Sequence, residues 1–190
     1  MKIGLFFGSF NPIHMGHMII ANIMAETTDL DKVWFIVTPQ NPLKPGKGLL
    51  HDFDRYDMVR AAVYENYKLE VSDVEFNLPK PNYTIHTLVH LTEKHPNKEF
   101  KVIIGEDNLE SFPRWKNYER IIEDYGLYVY PRPNVTNSEL KRHPNVKMVE
   151  APMMDISATF IRNCIRKNQS VRYLVPDAVE TMIRDKKFYQ

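Results

Sequence analysis

Three features of the sequence predict an α/β fold of the Rossmann-like, doubly wound kind, a mostly parallel sheet with helices on both faces. Short apolar runs end at Gly or Pro, as at residues 3–7 before Gly8 and 33–37 before Pro39. Between them lie stretches with apolar residues at helical spacing. The two patterns alternate along the whole chain, which favours a parallel sheet covered on both sides. No internal repeat or low-complexity tract interrupts them.

The elements follow in order. Residues 3–7 are expected to form a buried strand, closed by Gly8. The helix at 15–27 carries Met18, Ile19, Ile23 and Met24 on one stripe. Residues 33–37 make a second strand and 52–67 a helix with Tyr56, Val59 and Val63 aligned. A third strand is expected over 69–76, from its alternation. Residues 84–95 read as a helix with Leu88 and Leu91 inward, stopping before Pro96. Residues 100–104, before Gly105, are a fourth strand. One or two short helices around Trp115 occupy 109–124, and short strands follow at 127–130 and 146–151. Helices at 157–168 and 176–187 close the chain, the second with Pro176 in its first turn. The Pro-, Gly- and Lys-rich segment 39–48 is expected to be a mobile surface loop.

Composition bounds the function. The 190 residues suit one domain, 1–190, with the helical part from about 155 to 190 packed on the same core. Hydrophobic residues at 43% and charged residues at 26% fit a globular protein with a sizeable core. The formal net charge of +1 argues against a nucleic-acid track. The opening run is too short for a secretory or spanning segment and fits a buried strand. The single cysteine, Cys164, lies in an apolar periodic stretch, so a core thiol in a reducing compartment is expected, and the cytoplasm with it.

In a sheet of this kind ligands bind beyond the carboxyl ends of the strands. That singles out residues 8–17, 38–47, 105–115 and 130–133, with the helix start at Ser157. The first of these reads Gly8-Ser9-Phe10-Asn11-Pro12-Ile13-His14-Met15-Gly16-His17. Gly8 permits a sharp turn and close approach to a ligand. A helix starting near His14 directs unpaired N–H groups and partial positive charge at the mouth of the sheet, which suits phosphate. His14 and His17 share a helical face, and both imidazoles can donate to a phosphate chain. They could instead ligate a metal, but no third ligand follows at a suitable spacing. Capping or surface histidines are the alternative.

This loop resembles the Gly-x-Phe-x-Pro-x-His-x-Gly-His signature of the nucleotidyltransferase superfamily, and Ile156-Ser157-Ala158-Thr159-Phe160-Ile161-Arg162 resembles its Ile-Ser-x-Thr-x-Ile-Arg segment. The resemblance implies that Gly8, Ser9, Phe10, His14 and His17 meet the ATP phosphates. It implies that His17, with His14, stabilises charge growing on the α-phosphate. Ile156, Ser157, Thr159 and Arg162 are implied at the same phosphates. Ser157 can also simply cap its helix, with Arg162 a surface side chain.

The middle of the chain resembles bacterial nicotinate mononucleotide adenylyltransferases. Gly105-Glu106-Asp107-Asn108-Leu109 followed by Trp115-Lys116 matches their Gly-x-Asp…Trp-Lys element, and Asn82-Tyr83-Thr84-Ile85-His86-Thr87-Leu88 their Ser-Tyr-Thr-x-Asp-Thr-Leu element. This implies a mononucleotide pocket of Tyr83, Thr84, Asp107, Trp115 and Lys116, with the indole stacked on the pyridine ring. Gly105 and Asp107 are implied on the ATP side as well. Lys44, in a Pro-x-Lys segment, is expected at the mononucleotide phosphate, and Arg132 beside adenine. Asn134 departs from the family's Gly, and Phe7, Asn11, Asn82 and His86 from its usual Gly, Asp, Ser and Asp.

The expected reaction joins nicotinate mononucleotide to the AMP part of ATP and releases pyrophosphate. Mg²⁺ would accompany ATP as co-substrate, riding on the phosphates with no protein metal site. The expected partners are those two small molecules, not nucleic acid or a membrane; a homo-oligomer stays open. A phosphopantetheine adenylyltransferase, a cytidylyltransferase and a non-catalytic nucleotide-binding module are the alternatives.

Overall fold

The computed structural model describes residues 1–43, 48–133, 135 and 137–190. Six strands form one sheet: β1 (Lys2–Gly8), β2 (Lys32–Val37), β3 (Leu69–Ser72), β4 (Glu99–Gly105), β5 (Leu127–Tyr130) and β6 (Val146–Met148). Their order is β3-β2-β1-β4-β5-β6, and every neighbouring pair is parallel. All-parallel strands must be covered on both faces, which is why they read as continuous apolar runs rather than alternating ones.

Among the described residues, seven helices flank the sheet: α1 (Met15–Thr27), α2 (Asp52–Val63), α3 (Thr84–Lys94), α4 (Asp107–Ser111), α5 (Tyr118–Arg120), α6 (Ala158–Arg166) and α7 (Asp177–Asp185). One face packs Ile20 and Met24 of α1, Met58 and Val59 of α2, Ile161 and Cys164 of α6, and Val179 and Ile183 of α7 on Phe6 and Phe35. The other packs Leu88 and Leu91 of α3, Leu109 and Phe112 on Leu5, Val102 and Val129. The chain therefore winds outward from β1 to β3, returns to lay β4 against β1, and winds outward again. That reversal opens a crevice at the carboxyl ends of β1 and β4.

Several boundaries differ from the sequence expectation. The strand expected over 69–76 stops at Ser72, and Val74–Asn77 forms a 3₁₀ turn. Glu75 causes the break: it turns inward, 1% exposed, and its carboxylate accepts from the Thr87 hydroxyl at 2.6 Å. The helix expected over 52–67 ends at Val63, where the Asn66 side chain accepts from the Lys68 amide and reverses the chain. Strand β6 is shorter than 146–151, although the Val149 amide still donates to the Val129 carbonyl at 2.8 Å. Around Trp115 the chain forms α4, a 3₁₀ turn at Phe112–Arg114, α5 and a π-turn at Ile121–Tyr125. Pro176 is the residue before α7 rather than inside its first turn. Cys164 is buried, as its periodic setting suggests.

Candidate active site

The chain leaves β1 through Gly8 and reaches α1 by a loop whose left-handed residue is Phe10, φ 45°, not Gly8. Gly8 serves differently from the expected sharp turn: a Cβ there would sit 2.8 Å from the Phe10 ring. Phe10 is buried edge-on against His17, Phe6 and Phe35, so its ring supports the His17 imidazole. Ser9 is exposed, and its carbonyl accepts from the Arg55 guanidinium.

His14 takes extended backbone as the residue before α1. Its ring stacks on that of His17, with centroids 3.7 Å apart and planes 25° from parallel. The His14 amide donates to His17 Nδ1 at 3.3 Å, which fixes that imidazole's orientation. Gly16 makes room for the stack, because a Cβ would lie 3.0 Å from His14 Nδ1. His14 is 4% exposed, and burial, reinforced by nearby Arg132, lowers its pKa to about 4. Its Nδ1 is buried without a hydrogen-bond partner among the described residues. One expectation needs correcting. The first α1 amide does not face the mouth of the sheet: Met15 N–H donates to the Leu174 carbonyl at 2.8 Å.

The distant Ser/Arg segment arrives at the same place. Ser157 caps α6, its hydroxyl accepting from the Phe160 amide at 3.2 Å. Ile156 lies over Gly16 and, with Phe6, His14, His17, Tyr130 and Arg132, lines one cleft. Arg162 reaches across α6 to donate from Nη1 to the Asn11 carbonyl at 2.7 Å, while Nη2 donates to Thr159 Oγ1 at 3.2 Å. Residues 151 positions apart thus share one hydrogen bond at the phosphate-type loop.

Strand ends β4 and β5 form the next wall. Gly105 pairs with Tyr130 across the ladder, and Asp107 opens α4. Asp107 stands 3.8 Å from Arg132 Nε, which holds that guanidinium near the imidazoles. Arg132 therefore borders His14 in the same cleft. The cleft presents imidazole, guanidinium and hydroxyl groups, with one carboxylate already facing a cation; that donor set suits phosphate oxygens better than a hard metal ion.

The mononucleotide-side residues also gather. Tyr83 and Thr84 begin α3, and Lys116 lies over the Tyr83 ring at 4.8 Å, bringing the Trp115 loop to that helix start. Trp115 leans on Phe112, ring centroids 5.1 Å apart, and its indole Nε1 is buried with no partner among the described residues. Lys44 and Asn134 lie outside the described residues.

Sequence reasoning missed two buried charges that set this geometry. Arg55 is fully buried. It donates to the carbonyls of Leu50 (3.1 Å), Ser9 (2.5 Å) and Thr38 (3.0 Å) and pairs with Asp52 (2.6 Å), so one side chain ties the loop after β1 to both ends of the connection from β2 to α2. Glu75, its pKa raised by burial, fixes Thr87, while Asn82 bridges from the Glu75 carbonyl to the Gln40 backbone. Asn82 is thereby a bracket between the loop after β2 and the start of α3. In the sequence, Arg55 reads as an ordinary helix cation within Asp-Phe-Asp-Arg; only its burial reveals its use.

Known proteins resemble this chain along its whole length. A cytidylyltransferase-like family model matches residues 5–164. A protein of Cytophaga hutchinsonii named "Probable nicotinate-nucleotide adenylyltransferase" is 58% identical over 189 residues, covering 100% of this chain and 98% of its own. A Flavobacterium johnsoniae protein of the same name is 50% identical over 192 residues, with all of both chains covered. Among solved structures, Plasmodium falciparum nicotinic acid mononucleotide adenylyltransferase complexed with NaAD superposes with a TM-score of 0.83. That alignment covers 99% of this chain and 97% of the other at 19% identity, a likeness of fold.

Proposed function

This chain belongs to the cytidylyltransferase-like family and, within it, to the nicotinate-nucleotide adenylyltransferases, and from that premise we propose how its own residues perform the transfer. The reaction moves AMP from ATP to nicotinate mononucleotide, giving deamido-NAD and pyrophosphate, a step of NAD biosynthesis. The observation that carries the assignment of residues is the meeting of two remote helix starts: the stacked His14 and His17 on one side, Ile156 and Arg162 on the other.

The nucleophile is the 5′-phosphate of the mononucleotide. Its second pKa is about 6, so near neutral pH it is already anionic and needs no general base. A phosphate oxygen forms a bond to the α-phosphorus as the bond to the bridging oxygen of pyrophosphate breaks, with the two oxygens in line. Catalysis is then positioning and neutralisation of developing charge. In this reading His17 donates to the α-phosphate, and His14, held neutral by its burial, donates beside it. Arg162 takes the β- and γ-phosphates, with Ser157 and Thr159 at the α6 start and the backbone of Gly8, Ser9 and Phe10 opposite. Arg132, with Gly105, Asp107 and Ile156, borders the nucleoside.

The mononucleotide lies along Tyr83, Thr84, Trp115 and Lys116, with Lys44 at its phosphate. The Trp115 face offers a flat apolar platform for the pyridine ring, and N–H donors at the helix start suit its carboxylate. Magnesium would come with ATP as part of the co-substrate and would supply charge neutralisation at its phosphates. The buried thiol of Cys164 suits the reducing cytoplasm, where we place the reaction. Among the described residues, no helix is long and apolar enough to cross a membrane.

Pyrophosphate release tests the assignment. With ATP and magnesium, nicotinate mononucleotide is expected to turn over, and nicotinamide mononucleotide at least tenfold more slowly. CTP in place of ATP, and phosphopantetheine in place of the mononucleotide, are expected to give no product. Release with phosphopantetheine alone, or binding of ATP without any release, would overturn it.

A further inference from the structure

We propose that Tyr189, which follows α7, is a positioning residue of the transfer: through Asn11 it sets the place of the Arg162 guanidinium. The inference rests on the assignment of Arg162 to the ATP phosphates.

Asn11 is 2% exposed, and its carbonyl and both polar atoms of its side chain are engaged. Its carbonyl accepts from Arg162 Nη1 at 2.7 Å. Its side-chain oxygen accepts from the Tyr189 hydroxyl at 3.0 Å and from the Leu50 amide at 3.2 Å. Its side-chain amide donates to the Gly48 carbonyl at 3.0 Å. One buried residue therefore joins the loop between β1 and α1, the segment beyond residue 47, helix α6 and the segment after α7. A buried amide held through both its oxygen and its nitrogen has one preferred orientation, and it transmits that orientation to what it holds.

The segment after α7 is shaped to deliver this contact. Lys187 and Tyr189 both take left-handed backbone, φ 53° and 66°, a conformation that ordinary L-residues adopt at a cost. Phe188 N–H donates back to the Ile183 carbonyl at 3.0 Å, and the Lys186 ammonium pairs with Asp54 of α2 at 3.0 Å. Those two turns reverse the chain and send the phenol inward, close enough to Arg162 and Arg55 to feel both charges. The left-handed Lys187 closes α7 as helices commonly end, and the turn that follows leaves the Tyr189 hydroxyl aimed at one acceptor, Asn11 Oδ1.

The test is a double-mutant cycle in steady-state kinetics. Tyr189→Phe removes one hydroxyl and keeps the ring. It is expected to lower kcat about five- to tenfold, the scale of one hydrogen bond. KM for the mononucleotide is expected to stay within about twofold, because that pocket lies on the other face of the sheet switch. Added to Arg162→Ala, Tyr189→Phe is expected to change nothing further, since the group it positions is gone. Asn11→Ala approaches from the other side: it is expected to cost at least as much as Tyr189→Phe, with the two together no worse than Asn11→Ala alone. Wild-type kcat in Tyr189→Phe or in Asn11→Ala, or losses that multiply with Arg162→Ala, would overturn the inference. Wild-type turnover in Arg162→Ala would instead remove the assignment of Arg162 itself.

Discussion

At the scale of single residues, His17 and His14 do different work although their rings stack. His17 is oriented by a backbone amide and rests on buried Phe10. Replacing it by Ala is expected to lower kcat by roughly 10²–10³, the scale for losing one transition-state donor. KM values should change little; unchanged kcat would refute its role. His14 is held neutral, with a native pKa of about 4 against 6.5 in the unfolded chain. Between those values the unfolded state binds a proton that the native state refuses. The stability from neutral His14 is thus complete above pH 6.5 and is lost as pH falls toward 4, on the order of 3 kcal/mol in all. Urea unfolding of wild type and His14→Asn from pH 7.5 to 4.5 checks this: only the wild type should show that slope. An identical slope in the variant would remove His14 as its source.

At the scale of elements, the helix starts set the site, and their sequences were partly readable. The paired histidines carried spacing that suits phosphate, whereas the Ser/Arg segment was readable only by its resemblance; the two segments meet beside one cleft. What Gly16 does was not readable, because its use depends on a stacked ring known only in three dimensions. Gly16→Ala raises helix propensity by about 1 kcal/mol but places a methyl 3.0 Å from the His14 ring. It is expected to melt within a few degrees of wild type yet lose at least tenfold in kcat; full activity would contradict the packing argument. Arg55 was equally hidden, since charge pattern alone cannot distinguish a buried cation from a solvated one. Arg55→Met leaves the Leu50, Ser9 and Thr38 carbonyls and Asp52 without their partner. The expected loss is about 3–5 kcal/mol in denaturant unfolding, and a loss below about 1 kcal/mol would show that these two loops do not depend on it. The third strand begins at Leu69 as expected but ends at Ser72, for a related reason: alternation over 69–76 cannot report that Glu75 turns inward to meet Thr87.

At the scale of the molecule, the winding order explains why residues so far apart in sequence act together. The fold class was legible because alternating strand and helix patterns, with apolar strands, leave few other arrangements. The convergence was not legible in pattern alone. It follows from β4 returning to lie beside β1, which opens the crevice, and from α6 closing on the same face as α1. Local sequence encodes each helix start; only the sheet order brings them to one cleft. The most direct measurement is a crystal structure of the chain with a non-hydrolysable ATP analogue and magnesium. The account predicts that His17 and the Arg162 guanidinium both lie within about 3 Å of oxygens of one triphosphate. A triphosphate touching only one of them, or seated at the opposite edge of the sheet, would contradict it.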